Sequence, residues 1–179
     1  MVKSSKKSIG LLGGSFDPPH KGHLMISKIA LKKIKLKNVL WLVTKKNPFK
    51  NKSFYSLTQR ISKAKKIAKK EKKIEVMSLD KIVNSSRSIN TINYLINKKK
   101  MTNIYFIIGA DNLIKFHKWK SWKKIVKLTK LIVFSRRGYD KKGKKSIVAK
   151  YLKNKIIFIN NKPITISSTK IRRQAKVSC

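Results

Sequence analysis

Residues 9–24 of the chain read IGLLGGSFDPPHKGHL, a short apolar run followed by a turn rich in glycine and proline. Gly13 and Gly14 permit close backbone approach or a positive φ angle and leave their amides accessible. Pro18 and Pro19 stiffen the chain before a helical pattern begins. A strand, a constrained turn and a helix in this order predict the first βα unit of a parallel sheet.

The same turn contains His20 and His23, two of the three histidines in the chain. Their spacing places them on one face of a first helical turn, beside a helix N-terminus that favours anions. Imidazoles and free amides at such a position predict a phosphate-binding site. A zinc site would need further histidine or cysteine ligands, and only His117 and Cys179 remain, so we favour phosphate.

Short apolar segments alternate with amphipathic ones along the rest of the sequence. The predicted strands are 8–12, 38–43, 73–77, 103–108, 131–135 and 155–159, and helical patterns lie near 23–34, 57–69, 89–98, 119–127 and 146–152. This alternation predicts βαβ units. We therefore expect an α/β fold, a Rossmann-like doubly wound parallel sheet, in one domain spanning residues 1–179.

Ligands of doubly wound sheets bind outside the carboxyl ends of the strands. Three unusual segments follow predicted strands. They are the turn at residues 13–23 that contains His20 and His23 (the histidine turn), Gly109-Ala110-Asp111, and residues 135–138, SRRG. The fold would bring these three segments together at the edge of the sheet where the strands have their carboxyl ends, which we call the rim. Residues 138–145, GYDKKGKK, approach a phosphate-loop pattern, but Lys145 stands where a magnesium-binding hydroxyl is required. We interpret this stretch as a lysine-rich surface loop.

The chain is strongly basic. Its 179 residues include 47 lysines and arginines against six acids, giving a formal net charge of +41. Such a balance is typical of nucleic-acid or membrane-surface proteins. Here the basic residues are nearly all lysine and scattered over most segments, whereas a nucleic-acid site clusters and uses arginine with aromatics. We therefore expect a solvated surface that attracts small anions, and no specific nucleic-acid partner.

The sequence disfavours an internal disulfide, a membrane span and a signal peptide. The single cysteine, Cys179, allows no disulfide within the chain. No apolar run is long enough for a membrane span. The basic and then apolar N-terminal segment is too short for a signal peptide and runs into Asp17 and two prolines. We expect a cytoplasmic protein without a membrane partner.

A second polar motif lies near the C-terminus, where residues 164–172 read ITISSTKIR and join an extended segment to a helical pattern. Ser167, Ser168 or Thr169 can cap that helix. Arg172 follows one turn into the helix and could hold a phosphate together with these hydroxyls. Taken alone, the segment fits a simple helix cap as well as a phosphate site.

Together the two motifs resemble the H-x-G-H and S-S/T-x-x-R signatures of the nucleotidyltransferase superfamily. The chain is most similar to bacterial nicotinate-nucleotide adenylyltransferases. The resemblance also includes NPFK at 47–50, Arg60, SINTINYL at 88–95, FIIGADNLIKFHKWKSW at 106–122 and VFSRRG at 133–138. The family usually has tyrosine and aspartate where this chain has Asn90 and Asn93, while Thr91 is retained.

This resemblance implies adenylyl transfer from ATP to nicotinate mononucleotide, with Mg²⁺ accompanying ATP and no metal held by a protein cage. The implied catalytic residues are His20, His23, Lys50 and Arg172. The implied ATP-binding residues are Gly13, Gly14, Ser15, Phe16, His20, His23, Gly109, Asp111, Ser168, Thr169 and Arg172, and the implied mononucleotide-binding residues are Asp17, Lys50, Thr91, Trp119 and Arg137. The alternatives are transfer to nicotinamide mononucleotide or pantetheine phosphate, or a basic nucleic-acid-binding module.

Overall fold

The computed structural model describes residues 8–46, 53–161 and 166–177. Within these ranges the strands are β1 Ile9–Gly14, β2 Asn38–Val43, β3 Ile74–Met77, β4 Ile104–Gly109, β5 Lys130–Phe134 and β6 Ile156–Ile159. The helices are α1 Lys21–Lys33, α2 Leu57–Ala68, α3 Ser88–Asn97, α4 Ala110–Lys115, α5 Trp122–Leu128, α6 Asp140–Lys144, α7 Ile147–Leu152 and α8 Ser168–Val177, with 3₁₀ turns at Phe116–Lys118 and Lys153–Lys155.

The strands form one sheet in the order β3-β2-β1-β4-β5-β6, and every neighbouring pair is parallel. The chain runs outward from β1 to β3 and then returns to place β4 on the other side of β1. This reversal creates a crevice at the carboxyl ends of β1 and β4, the place where doubly wound sheets bind ligands. The predicted α/β doubly wound fold is confirmed.

Both faces of the sheet are covered by apolar side chains. In β2, Leu40 and Leu42 pack into the core on one face, and Val39, Trp41 and Val43 pack into the core on the other. The alternation follows from the two-residue period of a strand. The indole N–H of buried Trp41 donates to the Ser27 hydroxyl at 2.8 Å, which fixes α1 against the sheet.

The first strand is longer than the sequence predicts. Gly13 and Gly14 pair in register with Leu42 and Val43, so β1 ends at Gly14. The positive φ angle of the following turn belongs to Phe16, at 46°. The turn therefore depends on a bulky residue held in the left-handed region rather than on either glycine.

Two segments after β4 differ from the sequence prediction. Trp119 has extended backbone and Ser121 a φ of 58°, so α5 begins at Trp122. The prediction of a surface loop at residues 138–145 is wrong, because α6 forms there. Gly143 is buried against Ala110, and a Cβ at residue 143 would lie 3.3 Å from the Ala110 carbonyl oxygen. This close approach joins α6 to α4.

The positive charge is spread over the surface. Exposed lysines occur on α1, α2, α5, α6 and α7. Within the described residues the ion pairs are Lys28–Glu71 at 2.8 Å, Arg136–Asp111 at 3.1 Å and Arg172–Asp17 at 4.0 Å. Two of these three lie at the rim of the sheet described below. No helix in the described ranges is long and apolar enough to cross a membrane.

Candidate active site

The histidine turn forms a reciprocal helix cap. His20 is the N-cap of α1, and its Nδ1 accepts from the N–H of Gly22 at 3.2 Å. The N–H of His20 donates in turn to Nδ1 of His23, also at 3.2 Å. A neutral imidazole that accepts at Nδ1 has its proton on Nε2. The backbone therefore fixes the tautomer of both rings and leaves each with a donor at Nε2.

The charge state of the pair agrees with this cap. Burial, together with the positive charge of Arg136, lowers the pKa of His20 to about 4. Burial lowers the pKa of His23 to about 3, with smaller contributions in the same direction from His20 and Arg136. Both imidazoles are consequently neutral near pH 7, which is the state in which both Nδ1 atoms can accept.

Phe16 anchors the turn to the core. Its ring stacks on Trp41 with centroids 5.2 Å apart and lies 4.7 Å from the ring of His23. Only 2% of Phe16 is exposed. Any contact between Phe16 and a nucleotide must therefore involve its backbone.

Asp17 connects this turn to two distant segments. Its carboxylate accepts from the N–H groups of Phe54 at 2.8 Å and Tyr55 at 2.9 Å. Its carbonyl accepts from the guanidinium of Arg172, which also lies 4.0 Å from the carboxylate. The carboxylate of Asp17 is thus engaged by the protein itself in this structure.

The C-terminal motif docks on the histidine turn. Ser167 caps α8 by accepting from the N–H of Lys170 at 3.2 Å. Ser168 instead donates its hydroxyl to the carbonyl of Pro18 at 2.8 Å, and Arg172 also donates to the hydroxyl of Thr169 at 3.2 Å. Two motifs from opposite ends of the sequence therefore meet in one place.

The end of β4 contributes a free acceptor. Oδ2 of Asp111 pairs with Arg136 at 3.1 Å, while Oδ1 is buried and has no hydrogen-bond partner among the described residues. A Cβ at residue 109 would lie 2.5 Å from that Oδ1, so Gly109 is required for this carboxylate orientation. The arrangement suits a ligand hydroxyl that donates to Asp111.

Arg136 was missed in the sequence analysis, which selected Arg137. Arg136 pairs with Asp111, its N–H donates to Asp140 at 2.8 Å, and its charge lowers the pKa of both histidines. Arg137 is exposed. Two adjacent arginines after a strand give no sequence signal for which one faces the site, because that depends on the geometry of the turn.

A small cavity lies next to the first turn, between the sheet and α3. It is lined by Gly13, Leu42, Thr44, Ser88, Thr91, Ile92 and Phe106. Thr91 is buried and faces this cavity, whereas Asn90 and Asn93 are exposed. The two positions that depart from the family pattern therefore lie away from the cavity, because helical periodicity places them on the outer face of α3.

Two other residues were expected from the sequence to bind the mononucleotide, Trp119 and Lys50. Trp119 is half-buried and stacks on Phe116, with ring centroids 4.9 Å apart and planes inclined by 30°. Lys50 lies outside the described residues. The third histidine, His117, lies in the 3₁₀ turn after α4 and not in the histidine turn.

Two further buried charged residues organise the rim and were not selected as site residues from the sequence. Asp80 accepts from the N–H of Lys45 at 2.6 Å and from the hydroxyl of Ser86. Arg60, 2% exposed, donates to four backbone carbonyls. The available signal was the position of Arg60 on the buried face of α2, four residues before Ala64, where a charge is unusual.

The fold and this rim together define a nucleotidyltransferase of the cytidylyltransferase-like class, whose family model matches residues 11–174. The chain is 51% identical to the probable nicotinate-nucleotide adenylyltransferase of Pelagibacter ubique (strain HTCC1062), over 96% of both chains. It is 40% identical to the corresponding protein of Bradyrhizobium sp. (strain ORS 278), over 72% of this chain and 67% of the relative. The chain therefore belongs to the nicotinate-nucleotide adenylyltransferase family.

Solved structures share the fold. The nicotinic acid mononucleotide adenylyltransferase of Plasmodium falciparum in complex with NaAD superimposes with a TM-score of 0.73 at 19% identity, covering 93% of this chain and 83% of that one. The same protein in complex with APC gives a TM-score of 0.70 at 20% identity, with the same coverage. At this level of identity the likeness concerns the architecture, which includes the β1–β4 crevice.

Proposed function

We propose that the protein transfers the adenylyl group of ATP to nicotinate mononucleotide, forming deamido-NAD and pyrophosphate. The observation that carries this proposal is the meeting of the histidine turn with Ser168 and Arg172 at the carboxyl end of β1. The names of the relatives support the choice of acceptor. The reaction belongs to the synthesis of pyridine dinucleotides.

The reaction requires the enzyme to position its two substrates more than to activate a nucleophile. The nucleophile is the ionised phosphate of the mononucleotide, which forms a new bond to the α-phosphorus of ATP. The bond from that phosphorus to the oxygen bridging to the β-phosphate breaks, and pyrophosphate leaves with the electron pair. No protein nucleophile or strong base is needed. The protein must align two anions and stabilise the charge that develops on the leaving group.

The rim supplies donors for that leaving group. His20 and His23 donate from Nε2 to the phosphates of ATP as neutral imidazoles, since their Nδ1 atoms remain bound to the backbone. Ser168, Thr169 and Arg172 bind the β- and γ-phosphates. In the structure Ser168 and Arg172 donate to the carbonyls of Pro18 and Asp17. Phosphate binding therefore involves an exchange of these hydrogen bonds or their extension by further donors.

The remaining nucleotide contacts follow from the positions of the rim residues. The segment from Gly13 to Phe16, which includes the end of β1, lies against the triphosphate, and Asp111 accepts a ribose hydroxyl at its free Oδ1. The mononucleotide occupies the Thr91 side of the crevice, where Trp119 stacks on the pyridine ring. Lys50, Asp17 and Arg137 complete our proposed mononucleotide contacts, Asp17 by holding the backbone of residues 54 and 55 in place.

Magnesium enters as part of the substrate MgATP. Within the described residues no group of three or more His, Cys, Asp or Glu side chains is placed to hold a metal ion. Mg²⁺ retains several waters and binds readily through phosphate oxygens. We propose that Mg²⁺ would reach the site with ATP and would supply positive charge beside the phosphates that Ser168, Thr169 and Arg172 bind, and that the enzyme acts in the cytoplasm, where ATP is available.

The direct test is product formation. The protein is incubated with MgATP in the presence and absence of nicotinate mononucleotide, and deamido-NAD and pyrophosphate are quantified by chromatography. We expect both products in equal amounts and only when both substrates are present. Pyrophosphate without a dinucleotide, or no product with any pyridine mononucleotide, would refute the proposal.

A further inference from the structure

Arg60 lies at the start of α2, beneath the rim, and its guanidinium binds backbone carbonyls from three separate segments. Nη1 donates to Ser15 at 2.6 Å and Thr44 at 2.8 Å, Nη2 to Lys45 at 3.2 Å, and Nε to Tyr55 at 3.1 Å. These carbonyls belong to the histidine turn, to the end of β2 and to the approach to α2. We propose that Arg60 is a positioning residue that orients the phosphate-binding turn for adenylyl transfer.

The contact with Ser15 sets the direction of a peptide plane. In a trans peptide the carbonyl and the following N–H point in opposite directions. Because Arg60 draws the Ser15 carbonyl inward, the N–H of Phe16 is directed to the other side of the turn. Phe16 also adopts a φ of 46°, which a bulky residue maintains only when its surroundings impose it. Arg60 supplies one of those constraints, and the Phe16 ring packed on Trp41 supplies another.

Arg60 also fixes both ends of the stretch that contains Lys50. Its contacts with Thr44 and Lys45 hold the end of β2, and its contact with Tyr55 holds the chain where it returns. Two carboxylates bind the same stretches of backbone: Asp80 accepts from the N–H of Lys45, in the same peptide as the Thr44 carbonyl, and Asp17 accepts from the N–H of Tyr55, whose carbonyl Arg60 binds. Backbone N–H and carbonyl groups on both sides of the stretch that contains Lys50 are therefore bound by buried side chains.

The electrostatics favour a role in positioning over one in net stability. The hydrogen bonds of Arg60 described here all go to neutral carbonyls. Burial lowers its pKa, and Asp17 and Asp80 oppose that shift from nearby. A buried charge adds little net stability compared with an apolar side chain of similar size. The network does, however, lock three segments into one arrangement, which a nonpolar side chain could not do.

The inference rests on the proposed function, because it concerns the turn that binds the triphosphate. The test compares Arg60→Lys, which keeps the charge but cannot make four contacts, with Ile104→Val. Ile104 is a buried core residue at the opposite, amino-terminal edge of the sheet, so its shortening lowers stability without touching the rim. Melting temperatures are measured first, and kinetics are then run well below the lower value.

We expect Arg60→Lys to lower kcat/KM by at least about 10-fold, with the KM for ATP raised, because small misplacement at a reacting centre costs this much or more. Ile104→Val should keep the wild-type kcat and KM. Equal activity of Arg60→Lys and wild type would overturn the inference, as would a parallel loss of activity in Ile104→Val. Affinity for a non-hydrolysable ATP analogue, measured calorimetrically on the same variants, tests Arg60 even if the acceptor differs from nicotinate mononucleotide.

Discussion

His20 donates its backbone N–H to Nδ1 of His23, so the start of helix α1 and the charge state of the histidine pair are coupled. A proton on that Nδ1 would face an N–H group and break the cap. The same holds for His20, whose Nδ1 accepts from Gly22. The structure therefore links protonation and helix capping to the Nε2 donors of the phosphate site that we propose.

Stability should depend on pH in a defined window. The folded-state pKa values are about 4 for His20 and about 3 for His23, below the usual unfolded value of 6.5. The unfolded chain therefore binds more protons as pH falls below about 6.5, and each histidine lowers the free energy of unfolding by about 1.4 kcal/mol per pH unit down to its folded pKa. Above pH 7 the pair should contribute no pH dependence. Urea unfolding between pH 4.5 and 8 measures this.

A matched variant isolates the contribution of the pair. His23→Asn keeps an acceptor near the position of Nδ1 but does not titrate in this range. Its unfolding free energy should fall less steeply between pH 6.5 and pH 4.5 than that of the wild type. An identical slope in both proteins would show that His23 is not a buried neutral histidine in solution.

The same variant separates capping from catalysis. In His23→Asn the side-chain oxygen can still accept from His20, so the fold should persist, but the Nε2 donor is lost. We expect kcat/KM to fall by roughly 10²-fold, the usual cost of removing one transition-state donor. His117→Ala, outside the histidine turn, should have a much smaller effect. Equal losses in the two variants would contradict the assignment of the phosphate site.

Arg172 and Arg173 form a natural pair for testing the C-terminal motif. Arg172 contacts Asp17 and Thr169, whereas Arg173 is exposed, and the two substitutions change net charge equally. Arg172→Gln should raise the KM for ATP by about 10-fold or more, the effect of losing a charged hydrogen bond worth roughly 1.5–3 kcal/mol. Arg173→Gln should leave it nearly unchanged. If both substitutions raised the KM for ATP equally, Arg172 would act only through its positive charge and not through a specific contact with ATP.

The sequence predicted the six strands, the histidine turn and the helix after the second motif, because these depend on local patterns. It could not separate Arg136 from Arg137, since both follow β5 directly and only the turn decides which reaches Asp111. Nor could it find the role of Arg60, whose acceptors lie up to 45 residues away. The later start of α5 was also not predictable, because it depends on the left-handed backbone of Ser121.

The high charge should produce only weak nucleic-acid binding. Among the described residues the exposed lysines are dispersed over several helices rather than gathered on one. A fluorescently labelled oligonucleotide should bind at low salt through counterion release and dissociate near physiological ionic strength. Oligonucleotides of different sequence should bind with the same affinity. Tight, sequence-selective binding at physiological salt would contradict this account.

The central claim is the identity of the acceptor, and a comparison of acceptors tests it most directly. The values of kcat/KM for nicotinate mononucleotide, nicotinamide mononucleotide and pantetheine phosphate are measured at equal MgATP by release of pyrophosphate. We predict the highest value for nicotinate mononucleotide, because its carboxylate is attracted by the net positive charge of the chain, whereas the carboxamide of the amide nucleotide is neutral. A ratio near one between acid and amide, or a preference for pantetheine phosphate, would contradict it.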